Sequence, residues 1–340
     1  MDSPPQIRRF ETSSGAEIYR LPLEAFLNFW TYAYLVFADD MRVLIDTGSG
    51  FGNSNDYLIS GLEGVGKLRS RPFSLADLTH IFITHGHIDH FGGLNFIRPQ
   101  TNAQLGIHEL DRRNLTRYEE RVTVAAHHLD RFLFEAGVSD TNRGNLLTMY
   151  RFTKELFRSV PVDFTFEDSG MRVGPFEFFH VPGHSAGHVV IRLEEVLFSG
   201  DHVLGEISPH QAPERLTLST GLEHYLSSLD ILEKWASTVQ LTLGGHKDPV
   251  MDLPKRLQEI RDVHADRLVQ VKEFMRLPHT IDDLSRHLFR EVHGYNILLA
   301  LEEAGAHVEY LYQRGWLSIV NLEEFEKANG PVVLKYCCRR

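Results

Sequence analysis

The sequence predicts an α/β layered domain over residues 1–253, followed by a smaller helical module over residues 254–340. Three observations predict it. Runs of strand length, rich in Val, Ile, Leu and aromatic residues, recur through the first part and alternate with stretches of helical periodicity. Glycine-containing turns that carry His or Asp follow several of those runs directly. From Pro254 onward the pattern turns almost wholly helical.

Taken in order, Glu17–Leu21, Trp30–Phe37 and Met41–Ile45 read as strands, with Asp39 and Asp40 at a hairpin turn. Asp46-Thr47-Gly48-Ser49-Gly50 is loop chemistry after a strand. Leu75–Leu78 reads as a helical turn before the apolar strand Ile81–Ile83. A long insertion, about 108–160, repeats apolar residues at helical spacing (Leu129, Phe132, Leu133 and Ala136, then Leu146, Met149 and Tyr150) and is expected to form two or three helices. Phe176–Val181, the pair Val189–Leu193 and Val196–Phe198, and Gln240–Leu243 complete the strands. Lys255–Met275 is a long amphipathic helix. Thr280 caps a second helix, with Asp282 and Asp283 in its first turn, and Tyr295–Gln313 forms a third. Trp316–Val320 follows as a short strand.

Composition narrows the function. A formal net charge of −11 disfavours nucleic acid as the main partner, although a local basic patch would survive that objection. The two cysteines, Cys337 and Cys338, are adjacent and cannot build a disulfide framework. Met1–Phe10 lacks the apolar core of a secretory signal, and no run reaches the ~20 apolar residues of a membrane span. A cytoplasmic protein without membrane contact is the expectation. With 19 histidines, a bare His-x-His would mean little.

The chemistry concentrates at Thr84-His85-Gly86-His87-Ile88-Asp89-His90, directly after an apolar strand. Imidazoles at i and i+2 on an extended loop can hold one divalent ion, and Asp and His at i+4 and i+5 can turn to hold a second. Three more ligand-type residues sit in matching contexts. His184 lies in Pro-Gly-His-Ser-Ala-Gly-His, Asp201 in Phe-Ser-Gly-Asp and His246 in Gly-Gly-His, each on a loop after a strand. Imidazole and carboxylate without thiolate suit zinc first, with iron and manganese also compatible.

In this order, Thr84–His90, His184, Asp201 and His246 resemble the metallo-β-lactamase superfamily, especially its glyoxalase II-like branch, over roughly residues 15–250. The resemblance implies an α/β four-layer αββα sandwich with the site at one edge of two sheets. It assigns His85, His87 and His184 to one metal ion and Asp89, His90 and His246 to another, with Asp201 bridging. It places Asp46 and His188 behind the ligands as orienting groups. The segment after Pro254 is similar to the winged-helix tail of some members, but Glu302, Glu303 and Glu309 on its third helix suit packing better than a DNA groove.

The expected function is a dinuclear metal-dependent hydrolase using a metal-bridging hydroxide, with Asp89 and Asp201 central to the chemistry. A thioester of coenzyme A, a carrier protein or glutathione is the expected small-molecule substrate, because a thiolate leaves without a dedicated general acid. A lactonase acting on acylated lactones and a metal-dependent endoribonuclease are the alternatives. β-Lactam hydrolysis is disfavoured, since the true zinc β-lactamases of that superfamily carry Cys or Ser where this chain has Asp201. Tyr150 in the insertion and His210 on the loop after Asp201 are candidate substrate contacts. The apolar C-terminal module admits a homodimer.

Overall fold

The computed structural model describes residues 5–154 and 157–338; the ends of the chain, including the first four residues of the Met1–Phe10 stretch, lie outside the described residues. The chain divides into two compact units. One comprises Met1–Tyr118, Phe157–Pro209 and Ile231–Arg256; the other comprises Glu119–Leu156, His210–Asp230 and Leu257–Arg340. This grouping differs from a division into 1–253 and 254–340. The apolar faces of the insertion helices pack in one core with the C-terminal helices, so most of the insertion groups with that segment.

The first unit contains two sheets. The larger runs in the order β1 (Arg8–Glu11), β2 (Glu17–Phe26), β3 (Phe29–Ala38), β4 (Met41–Ile45), β5 (His80–Phe82), β6 (Gln104–Ile107), β7 (Phe164–Thr165). Its first four strands pair antiparallel, and β4 to β7 pair parallel. The smaller sheet runs β12 (Leu241–Gly244), β11 (Val196–Gly200), β10 (Val189–Leu193), β9 (Phe176–His180), β8 (Arg172–Val173), with only β11 and β12 parallel.

Side chains on alternate positions decide the layering. Ile18, Tyr34, Val36, Val43 and Ile45 from the first sheet meet Phe176, Phe178, Ile191, Val196 and Phe198 from the second in one buried core. The intervening residues of β2 face outward, and Leu21 lies against Gly61 of the helix Ser54–Leu68. On the outer face of the second sheet, Trp235 stacks on Phe179 with ring centroids 4.8 Å apart. Both faces of each sheet are therefore covered, which is why these strands read as nearly continuous apolar runs.

The hairpin β2–β3 is longer than the sequence suggested: β2 runs on through Pro22 to Phe26, past the expected end at Leu21. In the fold β1 pairs with β2 only from Glu17 to Arg20. Beyond Arg20 that side of β2 is an edge, where a proline ring costs no ladder bond.

The second unit has an apolar core built by the helices Tyr118–Glu135, Asp140–Lys154, Leu253–Phe274, Ile281–Leu288 and Asn296–Gln313. Thr280 caps Ile281–Leu288 in a reciprocal box with Asp283, as the sequence indicated. The expected short strand is β13 (Leu317–Ile319), and it pairs antiparallel with β14 (Tyr336–Cys338). Among the described residues, no helix is long and apolar enough to cross a membrane.

Phe82 joins the two sheets of the first unit. It is fully buried, with the rings of Phe164, Phe166, Phe176 and Phe178 between 5.1 and 6.4 Å from its own. Phe82→Ala is expected to cost about 3–5 kcal/mol in stability. Denaturant unfolding checks this; a loss under about 1 kcal/mol would mean that the sheets are held elsewhere.

Candidate metal centre

Every candidate ligand follows the C-terminal end of a strand. The cluster at 84–90 follows β5, His184 follows β9, Asp201 follows β11, and Gly245-His246 follows β12. Because β11 and β12 are parallel neighbours, Asp201 and His246 emerge side by side, and Gly245 N–H donates to the Gly200 carbonyl at 2.8 Å. The larger sheet is tied to the same edge. Tyr34 Oη donates to the Gly244 carbonyl at 2.6 Å, and Thr31 Oγ1 donates to the Gly245 carbonyl at 3.1 Å. Gly245 has to be glycine, since a Cβ there would overlap Asp201 Oδ1.

The fold gathers all seven predicted ligands into two groups: His85, His87 and His184, and Asp89, His90, Asp201 and His246. His85 Nε2 and His87 Nδ1 are 3.1 Å apart. Asp201 Oδ2 lies 3.3 Å from His246 Nε2 and 3.7 Å from His184 Nε2, and its Oδ1 lies 3.4 Å from His90 Nε2. Asp89 Oδ2 is 3.3 Å from His246 Nε2. Donors bound tetrahedrally at zinc-ligand lengths are separated by about 3.3 Å, so these spacings are already those of ligands around an ion. Asp201 is the one ligand among the seven with ion-pair distances into both groups.

Proton placement leaves Nε2 as the ligand atom on three histidines. Asp46, whose carboxylate only accepts, takes hydrogen bonds from Thr84 N–H, Thr84 Oγ1 and His90 Nδ1, all at 2.8 Å. Thr84 Oγ1 spends its proton on Asp46 and so accepts from His85 Nδ1 at 3.1 Å. His246 Nδ1 donates to the Trp30 carbonyl at 2.7 Å. His85, His90 and His246 are therefore oriented with Nε2 toward the centre, the usual arrangement behind metal-bound imidazoles. His188 also sits behind the ligands: its Nε2 accepts from Asp201 N–H at 3.1 Å, and its ring stacks on His85.

The electrostatics match a cationic guest. Burial opposes charge on His246, yet Asp201 and Asp89 outweigh it and lift that imidazole to about 10. Burial likewise pushes Asp89 upward, but His90 and His246 bring it down to about 2. His85 goes the other way, held well below its ordinary value by burial and by its histidine neighbours. His90 Nε2 and Asp201 Oδ1 are buried without a hydrogen-bond partner, as expected of atoms that serve an ion. The donor set thus fits two divalent ions.

One positioning residue escaped the sequence reading. Asp111, buried in the helix Glu109–Thr116, joins two ligand loops. Its Oδ2 accepts from Gly86 N–H and Ser185 Oγ, both at 2.7 Å, and its Oδ1 accepts from Gly187 N–H at 3.0 Å. A Cβ at Gly187 would lie 2.6 Å from Asp111 N, so that glycine admits the helix. Only the acceptor needs of the Gly86 and Gly187 amides could have signalled Asp111, and those are invisible before the loops are placed. The two candidate substrate contacts belong to the second unit. Tyr150 is packed in its apolar core, and His210 Nε2 lies 3.1 Å from Glu302.

Comparison with known proteins agrees with this geometry. The family described as "Metallo-beta-lactamase superfamily" matches residues 31–266. The chain is similar to the lactamase-like protein nscB of Aspergillus fumigatus, with 27% identity over 67% of this chain and 51% of nscB. It is similar to the probable metallo-hydrolase YqjP of Bacillus subtilis, with 25% identity over 82% of this chain and 86% of YqjP. An atrochrysone carboxyl ACP thioesterase of A. fumigatus shares 25% identity over 72% of this chain and 45% of its own length. The chain thus spans about half the length of the Aspergillus relatives it matches. A metallo-beta-lactamase family protein from Thermus thermophilus has the same fold, with a TM-score of 0.71 at 24% identity over 95% of this chain and 98% of that one.

Asp111→Asn puts an amide NH2 against a donor that Asp111 now satisfies. It is expected to weaken zinc affinity about 10- to 100-fold with the circular dichroism spectrum intact. Titration against a chromophoric chelator measures this, and unchanged affinity would show that Asp111 does not set the ligand loops.

Proposed function

The chain belongs to the metallo-beta-lactamase superfamily, and we propose that it is a dinuclear metal-dependent hydrolase of acyl thioesters or closely related esters. The observation that carries this reading is the position of Asp201, within 3.3–3.7 Å of His184 in one ligand group and of His90 and His246 in the other. Two ions held there, zinc by the chemistry of their donors, would acidify a water to near-neutral pKa and polarise a carbonyl oxygen.

The chain's own residues supply the rest. Asp89 and Asp201 stay ionised beside His90 and His246, negative charge suited to a cationic guest. Asp46, His188 and Asp111 fix the loops from behind. A thioester suits this arrangement because its thiolate, with a pKa of about 8.5, leaves unaided. The thioesterase among the relatives supports the same substrate class.

The rim supports an apolar acyl group. Leu27 and Phe29 at the tip of the β2–β3 hairpin are 87% and 45% exposed, and the Phe29 ring centroid is 4.8 Å from that of His246. Exposed apolar side chains beside a polar centre favour a substrate with an apolar arm. We read the second unit as a winged-helix-like packing module and the substrate as a small molecule. Its third-helix glutamates are engaged with backbone: Gln211 N–H donates to Glu303 and Glu214 N–H to Glu309, each at 2.6 Å.

A panel of acyl-coenzyme A, acyl-pantetheine and acylated-lactone substrates tests the reading. Thioester turnover should be lost on chelation and restored by zinc. Asp201→Ala should lower kcat by more than about 100-fold, beyond the usual cost of disturbing a group behind the ligands. Lactone turnover without thioester turnover would overturn the substrate class, and full activity in Asp201→Ala would overturn the site. Within the hairpin, Phe29→Ser should lower kcat/KM about fivefold for long acyl chains and spare acetyl, about 1 kcal/mol of apolar contact. An equal effect on both substrates would remove the hairpin from acyl recognition.

A further inference from the structure

The second unit carries a buried polar cluster that the proposed hydrolysis does not use. His264, on the helix Leu253–Phe274, meets Glu303 and His307, one turn apart on the helix Asn296–Gln313. Both imidazoles are completely inaccessible to solvent, and Glu303 is 6% exposed. We propose that His264, Glu303 and His307 bind a divalent transition-metal ion, zinc by the chemistry of the donors, as a buried three-ligand site of this unit.

Three features support it. His307 Nδ1 donates to the Glu303 carbonyl at 2.8 Å, so its Nε2 is a bare lone pair, oriented as metal-bound imidazoles are oriented by a carbonyl behind them. That Nε2 is 3.2 Å from His264 Nδ1, close to the roughly 3.3 Å between two ligands of one tetrahedral ion. A Glu303 carboxylate oxygen lies within 4.8 Å of the ligand nitrogens of both histidines.

The carboxylate is held ready but not saturated. Arg267 bonds Glu303 Oε1 and Gln211 N–H bonds Oε2, and each oxygen keeps a second lone pair. Glu303 Oε1 lies 4.0 Å from His264 Nδ1, so it closes on the ion by side-chain rotation or through one water. Arg267 also opposes a cation, which makes this site weaker than the seven-residue centre. Binding shifts the His264 proton from Nδ1 to Nε2 and releases none. The competing arrangement is a plain hydrogen bond from His264 Nδ1 to His307 Nε2. Metal counting separates the two.

The full-length chain, stripped with chelator, reloaded with zinc and desalted, is analysed by plasma mass spectrometry. His307→Gln and His264→Gln should each hold one equivalent fewer than the unaltered chain. Identical metal content in folded variants would overturn the proposal and leave a hydrogen-bonded imidazole pair only. Should both variants fail to fold, cobalt(II) is added to a chain carrying His87→Ala and Asp201→Ala. An equivalent with tetrahedral absorption that survives further His85→Ala, His90→Ala and His246→Ala substitution, which disables both ligand groups of the first unit, supports the site, and its absence overturns it. The outcome is independent of the hydrolase reading, since neither measurement requires turnover.

Discussion

Buried carboxylates must be matched by positive charge, and that constraint organises the first unit. Asp46 and Asp201 are 3% and 7% exposed, and Asp89 stands beside them. A carboxylate in such surroundings is costly unless hydrogen bonds or cations answer it. Asp46 is answered by Thr84 and His90, which leaves it an orienting group. Asp89 and Asp201 face imidazole Nε2 atoms instead, and they raise His90 and His246 by attracting charge to them. The same field would hold metal ions. The strand ends, the glycine at 245 and the Asp111 bridge all keep these groups within about 3–4 Å of each other against their mutual desolvation cost.

The ligand set was legible because its chemistry is local in sequence. His85, His87, Asp89 and His90 share one loop, and His184, Asp201 and His246 each follow a strand run, so residue type and context sufficed. Asp46 was legible for the same reason. Asp111 was not, because its partners Gly86, Ser185 and Gly187 come from two loops that only the fold brings together. The part of β2 beyond Leu21 was not legible, since whether a proline such as Pro22 interrupts a strand depends on where the neighbouring strand stops.

The second unit shows a different limit. Helical periodicity identified its helices but could not say which apolar faces meet. Tyr150 and Leu146 pack with Leu298, Leu301 and Val308, which places them in a core. Glu303 and Glu309 spoke only for packing over a DNA groove, without saying what they meet. They turn inward to receive the backbone N–H groups of Gln211, Glu214 and Arg215, a use of carboxylates that periodicity cannot reveal.

The central claim is that Asp201 is shared by two ions in the first unit. Anomalous diffraction at the zinc edge, from crystals of zinc-loaded protein, tests it most directly. The account predicts two peaks about 3.5–4 Å apart, the spacing of two-metal hydrolytic sites, with the Asp201 carboxylate between them. One peak on His85, His87 and His184 alone, or two peaks with Asp201 bound to neither, would contradict it.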